Sequence, residues 1–197
     1  MALELTAGID AAAVVLVEGH SDMSALAALA RRRGRALADE GVAIVPMGGA
    51  TNIGHFLARF GPAGLGLRLA GLCDAGEEGF FRRALERAGV GTGLSRAGME
   101  ALGFYVCDAD LEDELIRAHG VAAVERIVEA EGDLGSFRTL QKQPAHQGRS
   151  TVGQLRRFIG TRSGRKHHYA RVLVDALDLD QVPRPLDAVL AHVRGRS

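Results

Sequence analysis

Residues 14–22 read VVLVEGHSD, an unbroken apolar run that stops at a glutamate and a glycine and meets an aspartate within one further turn. A short, continuous, mostly β-branched run suits a strand buried on both faces, with helices rather than water covering the sheet. Working outward, the same character recurs, and strands are expected over residues 12–17, 42–46, 67–73 and 103–107. Each runs through a loop into a helical pattern, over 21–33, 52–60, 78–88 and 111–119. In the first of these, Met23, Leu26, Ala27 and Ala30 fall at helical spacing. Ser21 and Asn52 are of the residue types that cap helix N-termini. The alternation predicts an α/β fold with a parallel sheet flanked by helices.

Sheets of this kind bind ligands beyond the carboxyl ends of their strands, and three of the four ends are acidic. The first carries Glu18 and Asp22, the third Asp74, Glu77 and Glu78, and the fourth Asp108 and Asp110 followed by Glu112, Asp113 and Glu114. The second instead ends in Met47-Gly48-Gly49-Ala50, a turn small enough for backbone to approach a ligand. Carboxylates gathered from separate strand ends suit a hard cation such as Mg²⁺, which needs one or two protein acids if water and phosphate complete its shell. A lone acid at a strand end serves equally as a helix cap or dipole partner, which is the competing reading of Asp22 or Glu78 alone. Glu18 stands apart because it closes an apolar strand directly before a glycine.

Downstream, residues 121–131 read as an amphipathic helix, and 170–193 as a helix, a loop holding Pro183 and Pro185, and a short last helix. Two units are expected: a core over 1–135 and a basic helical extension over 136–197, packed on that core or continuous with it. The chain of 197 residues has 24 Lys plus Arg against 24 Asp plus Glu, so a nucleic-acid partner can be signalled only by local clustering. Such clustering exists. Residues 138–171 hold nine Lys or Arg and no acid, whereas 108–133 hold nine acids and two arginines. Cys73 and Cys107 fit buried reduced thiols rather than a disulfide framework. No apolar run approaches the ~18 residues of a membrane span and no secretory signal opens the chain, which predicts a cytoplasmic protein with no membrane partner.

The order of an apolar strand, Glu-Gly-x-x-Asp and a later strand ending in Asp resembles the Toprim domain of topoisomerases, primases, recombination mediators and OLD-family nucleases. VEGHSDMSALAAL, followed by VPMGG, LCDAGEE and DLEDELI, is most similar to the OLD (overcoming lysogenization defect) branch, including stand-alone forms often named ATP-dependent endonucleases. The resemblance spans Val14 to about Leu115 and extends more faintly to Lys166 and Tyr169. It implies a Toprim fold, Mg²⁺ or Mn²⁺ as cofactor, and phosphodiester hydrolysis on nucleic acid, with DNA the expected form. It makes Glu18 a metal ligand or general acid/base, Asp22 the second acid of that motif and Asp74 the first acid of the family's Asp-x-Asp. Gly76 stands where the second Asp belongs. Glu112 is the preferred substitute for it, with Asp110, Glu77 and Glu78 behind. A lysine downstream of the core assists catalysis in this family, and Lys166 best fits that place. Two metals with water as nucleophile are expected, because Tyr105 lies in a predicted strand and Tyr169 on a helix.

The basic segment, with Arg156, Arg157, Arg162, Arg165 and Lys166, suits contact with a phosphate backbone. The alternative is a set of helix faces that offset the acidic stretch before it. His167 and His168 are open to metal, proton-transfer or surface roles, and His20 to indirect support of the metal motif. No G-x-x-x-x-G-K-[ST] pattern is present, so no ATPase is expected in this chain. Full-length OLD nucleases carry one ahead of the Toprim domain, which implies a separate ATPase chain as a possible partner. A homo-oligomer is also open, since an isolated Toprim sheet has an edge to cover. Two other functions remain at this point: a non-catalytic DNA-binding scaffold of repair or recombination, favoured by the missing second Asp, and a small-substrate phosphohydrolase or nucleotidyl hydrolase.

Overall fold

Every residue of β1 (Ala13–Val17) is fully buried, and its side chains alternate between two cores. Ala13, Val15 and Val17 enter one, Val14 and Leu16 the other, as the twofold period of a strand requires. Burial of Val14, Val15, Leu16 and Val17 stabilises the fold by roughly 1.5–3 kcal/mol apiece. The computed structural model describes residues 11–160 and 163–194. From β1 the chain runs through α1 (His20–Arg32), β2 (Val42–Pro46), α2 (Ile53–Phe60), β3 (Arg68–Asp74), α3 (Glu78–Arg87), α4 (Arg96–Ala101) and β4 (Phe104–Cys107). From there the described chain is helical: α5 (Leu111–His119), α6 (Val121–Ala130), α7 (Leu134–Lys142), α8 (Pro144–Gln147), α9 (Thr151–Gly160), α10 (Ser163–Ala176) and α11 (Arg184–His192).

The sheet is parallel throughout, in the order β2-β1-β3-β4. Helices α2, α3 and α4 cover one face, while α1 and the helices from α5 onward cover the other. This is the expected α/β architecture of a parallel sheet flanked by helices. The connection leaving β1 heads to β2 and that leaving the adjacent β3 heads to β4, so the chain reverses direction between β1 and β3. A crevice opens at the carboxyl ends of such a pair.

Most strand and helix limits depart from expectation by a residue or so, although α10 begins at Ser163 rather than near residue 170, and the caps differ in kind. Gly19, not Ser21, is the N-cap of α1, where the Gly19 amide donates to Asp22 Oδ2 at 2.9 Å. Asn52 occupies the N-cap of α2 without capping it. Its Nδ2 instead donates to the Met47 carbonyl at 2.9 Å and pins the Met47–Gly49 turn. Helix α4 was not expected; its signal is Ser95, whose Oγ accepts from the Gly98 amide at 3.1 Å. Pro185 belongs to the first turn of α11 rather than to a loop, where its missing N–H has no intrahelical partner to lose.

The α10 helix settles beside α1 and runs parallel to it. Near one end His167 Nδ1 meets Ser24 Oγ at 2.9 Å, and near the other Arg31 donates to Asp175 at 2.5 Å. His119 of α5 fixes the same helix by a 2.8 Å hydrogen bond to the Leu173 carbonyl. Since α1 begins at the carboxyl end of the sheet, the start of α10 is carried to that end too.

Gly71 is a point of close packing within β3. A Cβ there would lie 2.6 Å from Phe104 Cδ1 and 3.2 Å from the Leu16 carbonyl oxygen. Gly71→Val is therefore expected to destabilise the fold by about 1–3 kcal/mol through overpacking, seen as a lower urea midpoint at unchanged m-value.

Candidate metal centre

The crevice between β1 and β3 holds the acids that the sequence singles out. Glu18, Asp22 and Asp74 line a cavity of about 260 Å³ together with Gly19, Ser21, Gly48, Gly49 and Lys166. Glu18 is placed by the end of β1, Asp22 by the first turn of α1 and Asp74 by the end of β3. The glycine turn closes the wall. Gly48 and Gly49 have φ of 72° and 130°, backbone that only glycine adopts freely, and the Gly49 amide donates to the Glu18 carbonyl at 3.1 Å.

Lys166 reaches this wall from the start of α10. Its Nζ is 3.4 Å from Glu112 Oε2, while Glu112 Oε1 is buried without a hydrogen-bond partner. The four carboxyls are all shifted upward. Burial is the first cause for Glu18, reinforced by Asp22 and Glu77. Asp22 and Glu112 are raised by burial as well, against opposing pulls from the Gly19 hydrogen bond and from Lys166 respectively. Asp74 is pushed up to about 7 by burial and by its neighbours Asp22, Asp110 and Glu18. For the Lys166 ammonium burial works downward, but Glu112, Asp22 and Asp74 outweigh it and the net shift is upward. Among the described residues the site is a half-dry nest of negative charge into which the Lys166 ammonium reaches.

The remaining expected residues are placed differently. Asp110 caps α5, accepting from the Asp113 amide at 2.8 Å, and is also bound by Arg156. Glu78 is held by Arg96 at 2.7 Å. Gly76 is exposed, with open space where a side chain would stand. His168 pairs with Glu131 at 2.6 Å, and His20 is exposed. Arg165 lies 4.1 Å over the Phe158 ring and 3.4 Å from Asp133, which also accepts from the buried Tyr169 hydroxyl at 3.0 Å. Arg157 is exposed on α9, and Arg162 lies outside the described residues. With Arg138 on Glu125, much of the basic segment folds onto the acidic stretch that precedes it. Sequence reading passed over Ser21 as a cleft residue; its place inside VEGHSD was the available signal. A larger cavity of about 440 Å³, bordered by Arg96, Arg117 and Arg184 beside β4, contains none of the four acids.

Among the described residues no three His, Cys, Asp or Glu side chains are close enough to hold one ion by themselves. A bound cation would therefore take most of its shell from water and ligand, which suits Mg²⁺ better than a metal needing a protein cage. The donor set is all oxygen, and the unpartnered Glu112 Oε1 offers a ready ligand atom, so the residues fit such an ion.

Residues 11–75 match the family model described as overcoming lysogenization defect protein-like, TOPRIM domain. Over those residues the chain is similar to an OLD-like Toprim domain. Its fold is similar to the C-terminal region of the Burkholderia pseudomallei OLD protein, with a TM-score of 0.73 at 21% identity over 93% of this chain and 97% of that one. The C-terminal region of the Xanthomonas campestris pv. campestris OLD protein is similarly close, with a TM-score of 0.72 at 23% identity over 93% and 95%. No curated protein matches the chain. No described helix is long and apolar enough to cross a membrane.

The upward shift of Asp74 makes a pH-dependent prediction for the Toprim cleft. With a folded value of about 7 against an ordinary 3.8, the folded chain holds an extra proton between those values, so this group's effect on stability worsens as pH rises through that window. Without divalent ions, Asp74→Asn is expected to melt above wild type at pH 8, by about 2 °C or more. The gain should vanish near pH 4 and shrink when Mg²⁺ is added, as followed by circular dichroism.

Proposed function

We propose that this chain hydrolyses phosphodiester bonds in nucleic acid, DNA in the first instance, with Mg²⁺ or Mn²⁺ as cofactor. The observation that carries the reading is the convergence of Glu18, Asp22 and Asp74 with the Lys166 ammonium in one cleft at the switch point of an OLD-like Toprim fold. Glu18, Asp22, Asp74 and Glu112 would hold the metal, in a two-ion arrangement. Divalent ions, when bound, supply Lewis acidity that lowers the pKa of an attacking water and offsets charge on the leaving 3′ oxygen.

The chain's own groups set up the rest. Glu18, lifted by burial, is suited to accept the proton of the attacking water. Lys166 presents a fixed positive charge to the non-bridging oxygens of the scissile phosphate and stabilises the charge that builds there. The Gly48–Gly49 turn lets the sugar-phosphate backbone approach closely, and Asp22 keeps its place through the Gly19 amide. Water is the nucleophile in this scheme: Tyr105 is in β4, while Tyr169 is fully buried and bonded to Asp133. Burial and the Asp133 carboxylate push the Tyr169 phenol upward, away from any nucleophilic form.

The test is cleavage of supercoiled and linear DNA with Mg²⁺, Mn²⁺ or EDTA. Glu18→Gln is expected to lose about 10²–10⁴-fold in rate and Lys166→Met about 10²–10³-fold, with cleavage abolished by EDTA. Metal-dependent cleavage that survives Glu18→Ala would refute the site. Salt-sensitive DNA binding by wild type without cleavage would favour the scaffold reading instead.

A further inference from the structure

Helix α3 starts four residues beyond Asp74, and its outward side carries a pattern that the metal centre does not use. Phe80, Arg83 and Arg87 are all exposed and stand at i, i+3 and i+7, which aligns them along one face. Among the described residues Phe80 and Leu65 are the large apolar side chains open to solvent, with Phe80 40% exposed. The Arg83 guanidinium lies over the Phe80 ring, 5.1 Å from its centroid. Gly79 leaves room for this, since a Cβ there would be 3.1 Å from Arg83 Nη1.

Charge along this face is uncompensated. No carboxylate lies within salt-bridge distance of Arg83 or Arg87 among the described residues. The nearby acids are engaged elsewhere: Glu86 Oε1 accepts from the Leu94 amide at 2.9 Å, and Glu78 is held by Arg96. Arg156, Arg165 and Lys166 of the basic segment, by contrast, all have acidic partners. A cavity of about 350 Å³ runs beside Arg83, Glu86 and Arg87. From Asp74 to Phe80 the chain advances only about 10 Å along a 3₁₀ turn and the first turn of α3.

We propose that this face of α3 binds a single strand of nucleic acid leaving the metal cleft, with Phe80 stacking an unpaired base and Arg83 and Arg87 neutralising phosphates. The proposal rests on the nucleic-acid reading above and specifies its substrate as a strand with an unpaired base next to the cleavage point. An aromatic platform beside a cationic track is how single strands are held without sequence readout. Arg83 keeps the ring in place and adds cation–π attraction. A fully paired duplex offers phosphates but no free base face to this ring, so the aromatic part of the surface selects for frayed, gapped or single-stranded sites.

The chain has no tryptophan, so Phe80→Trp introduces a sole indole at the platform. Binding is measured with a labelled thymidine oligonucleotide in Ca²⁺. Phe80→Trp is expected to bind as wild type does and to lose emission as unlabelled oligonucleotide is added. Phe80→Ala should weaken binding by about 5- to 150-fold with an unchanged melting temperature. The double variant Arg83→Gln, Arg87→Gln should make the slope of log affinity on log salt shallower by about 1.4. If wild type binds the strand while the indole emission stays constant and Phe80→Ala binds equally well, the α3 proposal is overturned and the nuclease reading stands. If emission is quenched but no metal-dependent cleavage is found, the α3 surface stands and the nuclease reading falls. Failure of wild type to bind any strand overturns the proposal outright.

Discussion

The carboxyls of Glu18, Asp22 and Asp74 cannot share one partly dry cleft, with Glu112 beside it, unless something opposes their mutual repulsion, and in this chain the ammonium of Lys166 does so. Its 3.4 Å approach to Glu112, and its influence on Asp22 and Asp74, allow the acidic end of the sheet to form before any ion arrives. Much else is arranged around that contact. Helix α10 must lie parallel to α1, its first turn must reach the carboxyl end of the strands, and α5 must bring Glu112 underneath. The Ser24–His167 and His119–Leu173 hydrogen bonds serve that placement. Compensation is incomplete: Asp74 is still pushed up to about 7, and Glu112 keeps one buried oxygen without a partner. A site left in that condition favours an incoming cation.

How much of this was readable beforehand follows from the range of the interactions. Buried parallel strands declare themselves locally, because a strand covered on both faces must be apolar at every position. The limits of all four strands were therefore close, and Glu18 and Asp74 could be assigned to strand ends. The cap of α1 was misread because two chemistries compete there. Ser21 is a good cap by residue type, but the reach of Asp22 back to the Gly19 amide uses an acid that also lines the cleft. One residue thus has a structural and an electrostatic duty, and sequence alone shows them as alternatives.

The charge pattern was legible as a fact but not in its outcome. Residues 108–133 are acidic and 138–171 basic, and composition alone leaves open whether the basic faces meet an external phosphate backbone or offset the acidic stretch before them. Folded, they face each other: Asp110 takes Arg156, Glu112 takes Lys166, Glu125 takes Arg138, Glu131 takes His168 and Asp133 takes Arg165. The pairs are separated by 13 to 54 residues, beyond the reach of any local pattern. The more exposed of these pairs, such as Arg138–Glu125 and His168–Glu131, each add little, about 1 kcal/mol or less, yet the set together fixes which helix lies against which. Arg83 and Arg87, which have no acidic partner among the described residues, stand on α3, in a segment whose composition drew no notice.

The parallel packing of α10 on α1 also bears on when the centre can exist during synthesis. Ser24 and His167 are 143 residues apart, and Arg31 and Asp175 are 144 apart, so the helix bearing Lys166 is among the last parts of the domain to leave the ribosome. The sheet and its first helices can begin to collapse earlier, but their acids then lack the ammonium that joins them. Contacts of such long sequence separation incur their loop-closure entropy before they return any stabilisation, and they form late. A nascent chain therefore holds the cleft's acidic residues without its finished electrostatics, and the centre is completed only when nearly the whole domain is present.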